Sequence, residues 1–312
     1  MRPRILIAET KDYSPEATAL LRELGDVDLI ETPKSGLKKA LETYDVFWFR
    51  LAFRIEASDL PVNPRCRFIV CPMTGLDHID LDACDAKGIQ VLSLRGEYTF
   101  LRSVRATAEL TIGLTLALLR NIPEAAKHVQ AGGWDRQQFQ GRELQDKTVG
   151  IAGMGRLGKI TAQYFRIFGC HVLGFDPIPF NEEGVVPCES LKNLVAQSDI
   201  VSIHVNYLPE NHHLFNEALF SNFKKGSVLI NTARGALIDS TSLLRQLQIG
   251  HLSGAALDVI ENEHKHTDSP LIAYARQHKH LIITPHIGGN TAESFEKTEV
   301  FLAEKLKSAI PR

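Results

Sequence analysis

Short apolar runs recur along the chain, separated by stretches in which apolar residues return every three or four positions. The runs read as strands and the spaced stretches as helices. In the first ninety residues the runs are RILIAE (residues 4–9), DVFWF (45–49), RFIVC (67–71) and IQVLS (89–93). Ser14-Pro15-Glu16 has the form of an N-cap followed by proline at the first helical position, and Gly25 marks that helix's end. Asp80–Lys87 reads as a short helix closed by Gly88. A long helical pattern then covers Ser103–Gln130. A second series follows, with strands expected at Thr148–Ala152, His171–Phe175, Asp199–Ile203, Ser227–Asn231, Ser253–Leu257 and Leu281–Thr284. Strands alternating with helices in this way predict an α/β chain with right-handed crossovers and parallel sheets covered on both faces.

Length fits that picture: 312 residues suit two domains of ordinary size. The net charge is −2 with no basic block, which gives no reason to expect nucleic acid or an anionic membrane as partner. The most apolar stretch, Leu110–Leu119, is about half of the ~20 residues a membrane span needs, and reads as a buried helix. The start, Met1-Arg-Pro-Arg, runs directly into a strand-like segment and suggests no signal peptide. Five scattered cysteines, Cys66, Cys71, Cys84, Cys170 and Cys188, include no C-x-x-C pair. They are expected to be free thiols in a reducing cytoplasm rather than disulfides or metal ligands.

Candidate chemistry gathers where strands are expected to end. TVGIAGMGRLGK places Gly153, Gly155 and Gly158 in G-x-G-x-x-G spacing between a strand and a helix. Such a turn brings backbone close to a pyrophosphate and sets its phosphates on the helix N-terminus, at Arg156 and Leu157. The next strand ends in Asp176, eighteen residues after Gly158, where a carboxylate would grip a ribose 2′-hydroxyl and repel the extra phosphate of NADP. The expected cofactor is therefore NAD. Three further segments end strands: NTARG carries Arg234, ALDVIENEH carries Asp258, Glu261 and Glu263, and TPHIGG carries His286. Alone, each has a plainer reading as a solvated or packing residue. The remaining histidines, including His264, His266, His278 and His280, are expected at the surface, and no metal site is expected because their spacing suggests no tetrahedral set.

Together these segments, with TGLDHIDLDA (74–83) and ATAELTIGLTLALLRNIPEA (106–125), resemble the D-isomer-specific 2-hydroxyacid dehydrogenases over nearly the whole chain. The resemblance implies two doubly wound parallel-sheet domains. A Rossmann cofactor domain (98–287) would be inserted in a flavodoxin-like substrate-binding, or lid, domain made of residues 1–97 and 288–312. It implies that Arg234 holds the substrate carboxylate and keto oxygen, that Glu263 pairs with His286, and that His286 is the acid/base. Glu261 competes with Glu263, which is selected by its place five residues after Asp258. Gly153, Gly155, Arg156, Leu157, Gly158, Asp176, His204, Thr232, Ala233, Asp258, Gly288 and Gly289 would line the cofactor. Arg50, Gly75 and Leu76, with Arg234 and His286, would meet a small 2-hydroxy or 2-keto acid. The helix near Ala106–Arg120 resembles the family's homodimer contact.

The chemistry agrees. A guanidinium presents a planar fork to a 2-keto acid, and ketone reduction leaves an oxyanion for which an imidazole titrating near working pH is a suitable proton source. A regulator or corepressor that senses NADH on the same fold, and relatives acting on formate or phosphite, are the alternatives. Four departures stand out from the family pattern: His264 in place of proline, Asn206-Tyr207 in place of Pro-Leu, an enlarged segment LRGEYTFLRSVR (94–105), and FWFRLAFR (47–54) in place of a compact Arg-Ser-Arg-Thr. The enlarged segment, with Tyr98, Arg102 or Arg105, is expected to help set substrate choice or to be a passive insertion.

Overall fold

The computed structural model describes residues 2–310, which form two compact units. One runs to Val104 and resumes at Asn290; the other is Arg105–Gly289. The junctions fall later than the sequence reading placed them, after residue 104 instead of 97 and after 289 instead of 287. At the first junction, the enlarged segment forms a short helix whose Phe100 and Leu101 pack into the first unit's core.

The first unit contains β1 (Arg4–Ile7), α1 (Pro15–Leu24), β2 (Asp26–Leu29), α2 (Leu37–Thr43), β3 (Val46–Trp48), β4 (Phe68–Cys71), α3 (Leu81–Ala86), β5 (Gln90–Ser93) and α4 (Tyr98–Leu101). Its sheet is wholly parallel, in the order β2-β1-β3-β4-β5. Ser14 caps α1, its hydroxyl accepting from the Ala17 N–H, as the Ser-Pro signal predicted. The three inner strands β1, β3 and β4 are almost entirely buried, which is why they read as continuous apolar runs.

The second unit contains α5 (Ala106–Leu119), α6 (Ile122–Gln130), β6 (Thr148–Ala152), α7 (Arg156–Ile167), β7 (His171–Phe175), β8 (Val185–Pro187), α8 (Leu191–Gln197), β9 (Ile200–Ile203), α9 (Glu217–Phe220), β10 (Val228–Asn231), α10 (Ser240–Gln248), β11 (Gly254–Leu257), α11 (Pro270–Ala275) and β12 (Leu281–Ile283). Seven parallel strands run in the order β12-β11-β10-β9-β6-β7-β8. The chain builds outward in one direction from β6 and in the other from β9, so the winding reverses between these two. In open parallel sheets such a switch point is where ligands bind, at the carboxyl ends of the strands. The single helical pattern expected over 103–130 is instead two helices. Asn121 adopts a left-handed φ of 53°, and Pro123 starts a new first turn.

The last helix, α12 (Ala292–Ala309), returns to the first unit. Leu302, Ala303 and Leu306 on it are fully buried against Ile5, Ile7, Trp48 and Val70. Arg50, just after β3, ties the same helix down. Its guanidinium donates to Glu299 Oε1 from Nε at 3.0 Å and from Nη2 at 2.5 Å, and to the Lys11 carbonyl at 2.9 Å, and it lies 4.0 Å from the Phe295 ring centroid. Burial pushes the Glu299 carboxyl upward, against the pull of Arg50. Arg50 is only 8% exposed. Its donors are committed inside the fold, where they hold α12.

Candidate active site

The glycine turn sits at the switch point. Gly153 has a φ of +95°, and a Cβ there would lie 2.7 Å from the His204 backbone, so only glycine lets the ends of β6 and β9 meet. A Cβ on Gly158 would lie 2.0 Å from the Gly153 carbonyl oxygen, so the third glycine is required by helix–turn packing. Gly155 differs. It is exposed, it is the N-cap of α7 without a side chain to cap the first turn, and a Cβ there would meet nothing within 4 Å. Space and first-turn N–H groups coincide at the position where a pyrophosphate would lie. The residues present fit a dinucleotide.

Asp176 stands at the end of β7, and its carboxylate accepts the Met154 N–H at 2.8 Å and the Ile178 N–H at 2.9 Å. It therefore braces the glycine turn from the side and remains partly exposed. His204, after β9, exchanges a 2.8 Å hydrogen bond between Nε2 and Ser202 Oγ. Burial of its ring pushes its pKa down to about 4, so the imidazole is neutral at ordinary pH.

The loop after β10 is held by a residue that the sequence reading did not single out. The fully buried Asn231 accepts the Ala233 N–H and donates to the Arg234 carbonyl, both at 2.9 Å. Gly235 is obligatory, because a Cβ would lie 1.9 Å from the Ile260 carbonyl carbon. That close approach sets the Arg234 loop directly against the segment leading from Asp258 to Glu263. Arg234 is half-buried, with Nη1 donating to the Ala233 carbonyl at 2.8 Å. Thr232, expected on the cofactor, turns its hydroxyl inward to Thr111 on α5 at 2.8 Å and is buried.

Asp258 supports the loop after β12 from within. It is 1% exposed, and its carboxylate accepts from Thr284 Oγ1 (2.6 Å), the Ile287 N–H (2.9 Å) and the Gly288 N–H (2.8 Å). Its own carbonyl takes the His286 N–H at 2.8 Å. These four bonds wrap the loop after β12 around one buried carboxylate and hold His286 at a left-handed φ of 54°. A non-glycine residue persists there only when its surroundings over-determine it. The ring is then placed with Nδ1 2.8 Å from Glu263 Oε2, both side chains partly exposed. Glu261 points elsewhere, to His213. In the same loop Gly288 is buried and spends its N–H on Asp258, while Gly289 is exposed. A cavity of about 640 Å³ opens beside this pair, bordered by His286, Glu263, Asp258 and residues of α6 and α11; Arg234 and the glycine turn do not border it.

Gly75 and Leu76 belong to the first unit, on the half-buried loop after β4. His264 and His266 are exposed as expected, whereas His278 and His280 are half-buried around Tyr274, whose ring stacks on His278 at 3.9 Å. Four of the five cysteines are buried free thiols and Cys188 is partly exposed; burial pushes the Cys66 thiol up to about 12.

A glycine turn at the switch point of a doubly wound sheet defines a dinucleotide-binding protein, and the histidine–carboxylate pair adds acid–base capacity. Residues 112–288 match the family model described as D-isomer specific 2-hydroxyacid dehydrogenase, NAD binding domain. The chain is 34% identical over 320 residues to a glyoxylate reductase of Aeropyrum pernix, covering 98% of this chain and 92% of that protein. It is 31% identical over 312 residues to a D-3-phosphoglycerate dehydrogenase of Mycobacterium tuberculosis, covering 99% of this chain but 57% of the relative's length. The structure resembles D-lactate dehydrogenase from Aquifex aeolicus complexed with NAD and lactic acid, with a TM-score of 0.83, 30% identity, and 98% and 95% of the two chains covered. The chain belongs to the D-isomer specific 2-hydroxyacid dehydrogenase family, and its second unit is that family's NAD-binding domain.

Proposed function

We propose that the protein interconverts a small D-2-hydroxy acid and its 2-keto acid with NAD, using His286 as acid/base, Glu263 as its partner and Arg234 as the carboxylate-binding residue. The observation that carries this reading is the 2.8 Å bond from His286 Nδ1 to Glu263 on an NAD-binding fold. With Nδ1 committed to the carboxylate, Nε2 is the nitrogen left to hold and release a proton. In reduction it gives that proton to the substrate oxygen as negative charge develops there; in oxidation it takes the hydroxyl proton back. The bound cofactor supplies or accepts the hydride at the substrate carbon. Arg234 orients the acid by charge-assisted hydrogen bonds worth about 1.5–3 kcal/mol each. The first unit is assigned substrate binding, with the backbone at Gly75 and Leu76 as candidate contacts.

We further propose a cytoplasmic homodimer. Ile122, Val129 and Trp134, exposed on and after α6, support partner contact better than α5, which is largely buried in its own unit. Among the described residues no helix is long and apolar enough to cross a membrane. The test is NADH oxidation with a panel of 2-keto acids, including glyoxylate, pyruvate and phosphorylated members. Turnover with at least one is expected. NADH binding without turnover on any would leave the regulatory alternative in its place.

A further inference from the structure

A second cluster of polar side chains lies in the NAD-binding unit, distinct from the His286–Glu263 pair. His212 and His213 follow the short turn Pro209–Asn211, and their rings stack with centroids 3.8 Å apart. His212 Nε2 is 3.9 Å from Glu261 Oε1, and His213 Nε2 is 3.1 Å from Glu261 Oε2. One ligating atom from each of the three residues lies within 4.8 Å of the other two. The Tyr207 hydroxyl sits 3.4 Å from His212 Nδ1, a contact that leaves Nε2 facing the carboxylate. His213 is held at a φ of 53°, its N–H bonded to the Ala236 carbonyl at 2.9 Å. All three side chains retain solvent access.

We propose that His212, His213 and Glu261 form a site for a zinc-type divalent transition-metal ion, with water in the fourth position. Two imidazoles and a carboxylate are a donor set for borderline ions and a poor one for magnesium or calcium, which favour oxygen ligands. Tetrahedral ligands about 2.1 Å from zinc lie about 3.4 Å apart. The His213–Glu261 separation already meets this, and the wider pairs close by side-chain rotation of partly exposed groups. Spacing along the chain conceals the site, because its carboxylate lies 48 residues beyond His213. It also bears on the reaction proposed above, and this coupling depends on that reaction. Glu261 is two residues from Glu263 on the segment that positions the carboxylate against His286, so drawing Glu261 onto a metal shifts Glu263 and slows turnover.

The test is zinc titration of tag-free protein by calorimetry, with magnesium as the comparison ion. One zinc per chain is expected, with affinity at least tenfold weaker in His213→Ala and in Glu261→Gln and unchanged in His280→Ala. Cobalt bound to the unmutated protein should give the intense visible bands of a tetrahedral N/O site, a readout that does not depend on any variant folding. Absence of stoichiometric zinc binding, zinc binding equal in all variants, or a purely octahedral cobalt spectrum would overturn the proposal. Zinc should also slow NADH oxidation by the unmutated protein and not by His213→Ala; equal slowing of both would remove the coupling. Zinc bound as described by a protein that turns over no 2-keto acid would refute the proposed function and leave the metal site standing.

Discussion

At the scale of single residues, the site rests on buried side chains that hold its loops in shape. Asp258 and Asn231 are buried and spend their hydrogen bonds on backbone, shaping the loops that present His286 and Arg234. His286→Ala is expected to lower turnover by roughly 10²–10⁴-fold while leaving NADH affinity near that of the parent, read by steady-state kinetics and NADH fluorescence titration. Turnover unchanged in that variant would end the acid/base assignment. His204 gives a pH prediction. Its folded pKa of about 4 lies below the ordinary 6.5, so the unfolded chain binds its proton more readily between those values. The associated stability is complete above about pH 6.5 and is lost as pH falls toward 4. Urea midpoints should decline across that window, and less steeply in His204→Asn. The pairing of Glu263 with His286 was legible because both lie in motifs that follow neighbouring strands, and the structure places the two side chains 2.8 Å apart. The contacts that bury Arg50 and Thr232 were not legible, because their partners Glu299 and Thr111 lie 249 and 121 residues away in the chain.

At the scale of elements, buried strands announced themselves, whereas two of the edge strands, β2 and β8, did not. The ten other strands follow the apolar runs closely, whereas β2 reads DVDL and β8 reads VVP. Both lie at sheet edges, where half the surface meets water and proline is tolerated, so no continuous apolar run is needed. The α5–α6 break was hidden for a similar reason: apolar periodicity continues across Asn121, and only its left-handed backbone ends the helix. The glycine turn yields a paired test. Gly158→Ala places a methyl group against the Gly153 carbonyl and should lower the melting temperature. Gly155→Ala meets only open space, so its melting temperature should match the parent while NADH binding weakens at least tenfold. Normal NADH affinity in Gly155→Ala would remove the pyrophosphate from that position.

At the scale of the molecule, two units with separate cores share one chain that crosses between them twice. Each carries one of the two tryptophans, Trp48 buried in the first unit and Trp134 exposed in the second. Glu299→Ala leaves the Arg50 guanidinium buried without its carboxylate, which costs about 3–5 kcal/mol. The transition reported by Trp48 fluorescence should fall accordingly, and Arg50→Met with Glu299→Leu should recover most of the loss. A Trp48 transition indifferent to Glu299→Ala would contradict the account of α12 as the first unit's clamp. That clamp has a consequence during synthesis. The strands bearing Ile5, Trp48 and Val70 leave the ribosome long before Leu302 and Leu306 exist to cover them. At about 5–20 residues per second the interval from Val70 to Leu302 is roughly twelve to forty-six seconds. Through it the nascent chain carries a naked oily face, while the NAD-binding unit between has everything it needs to fold first.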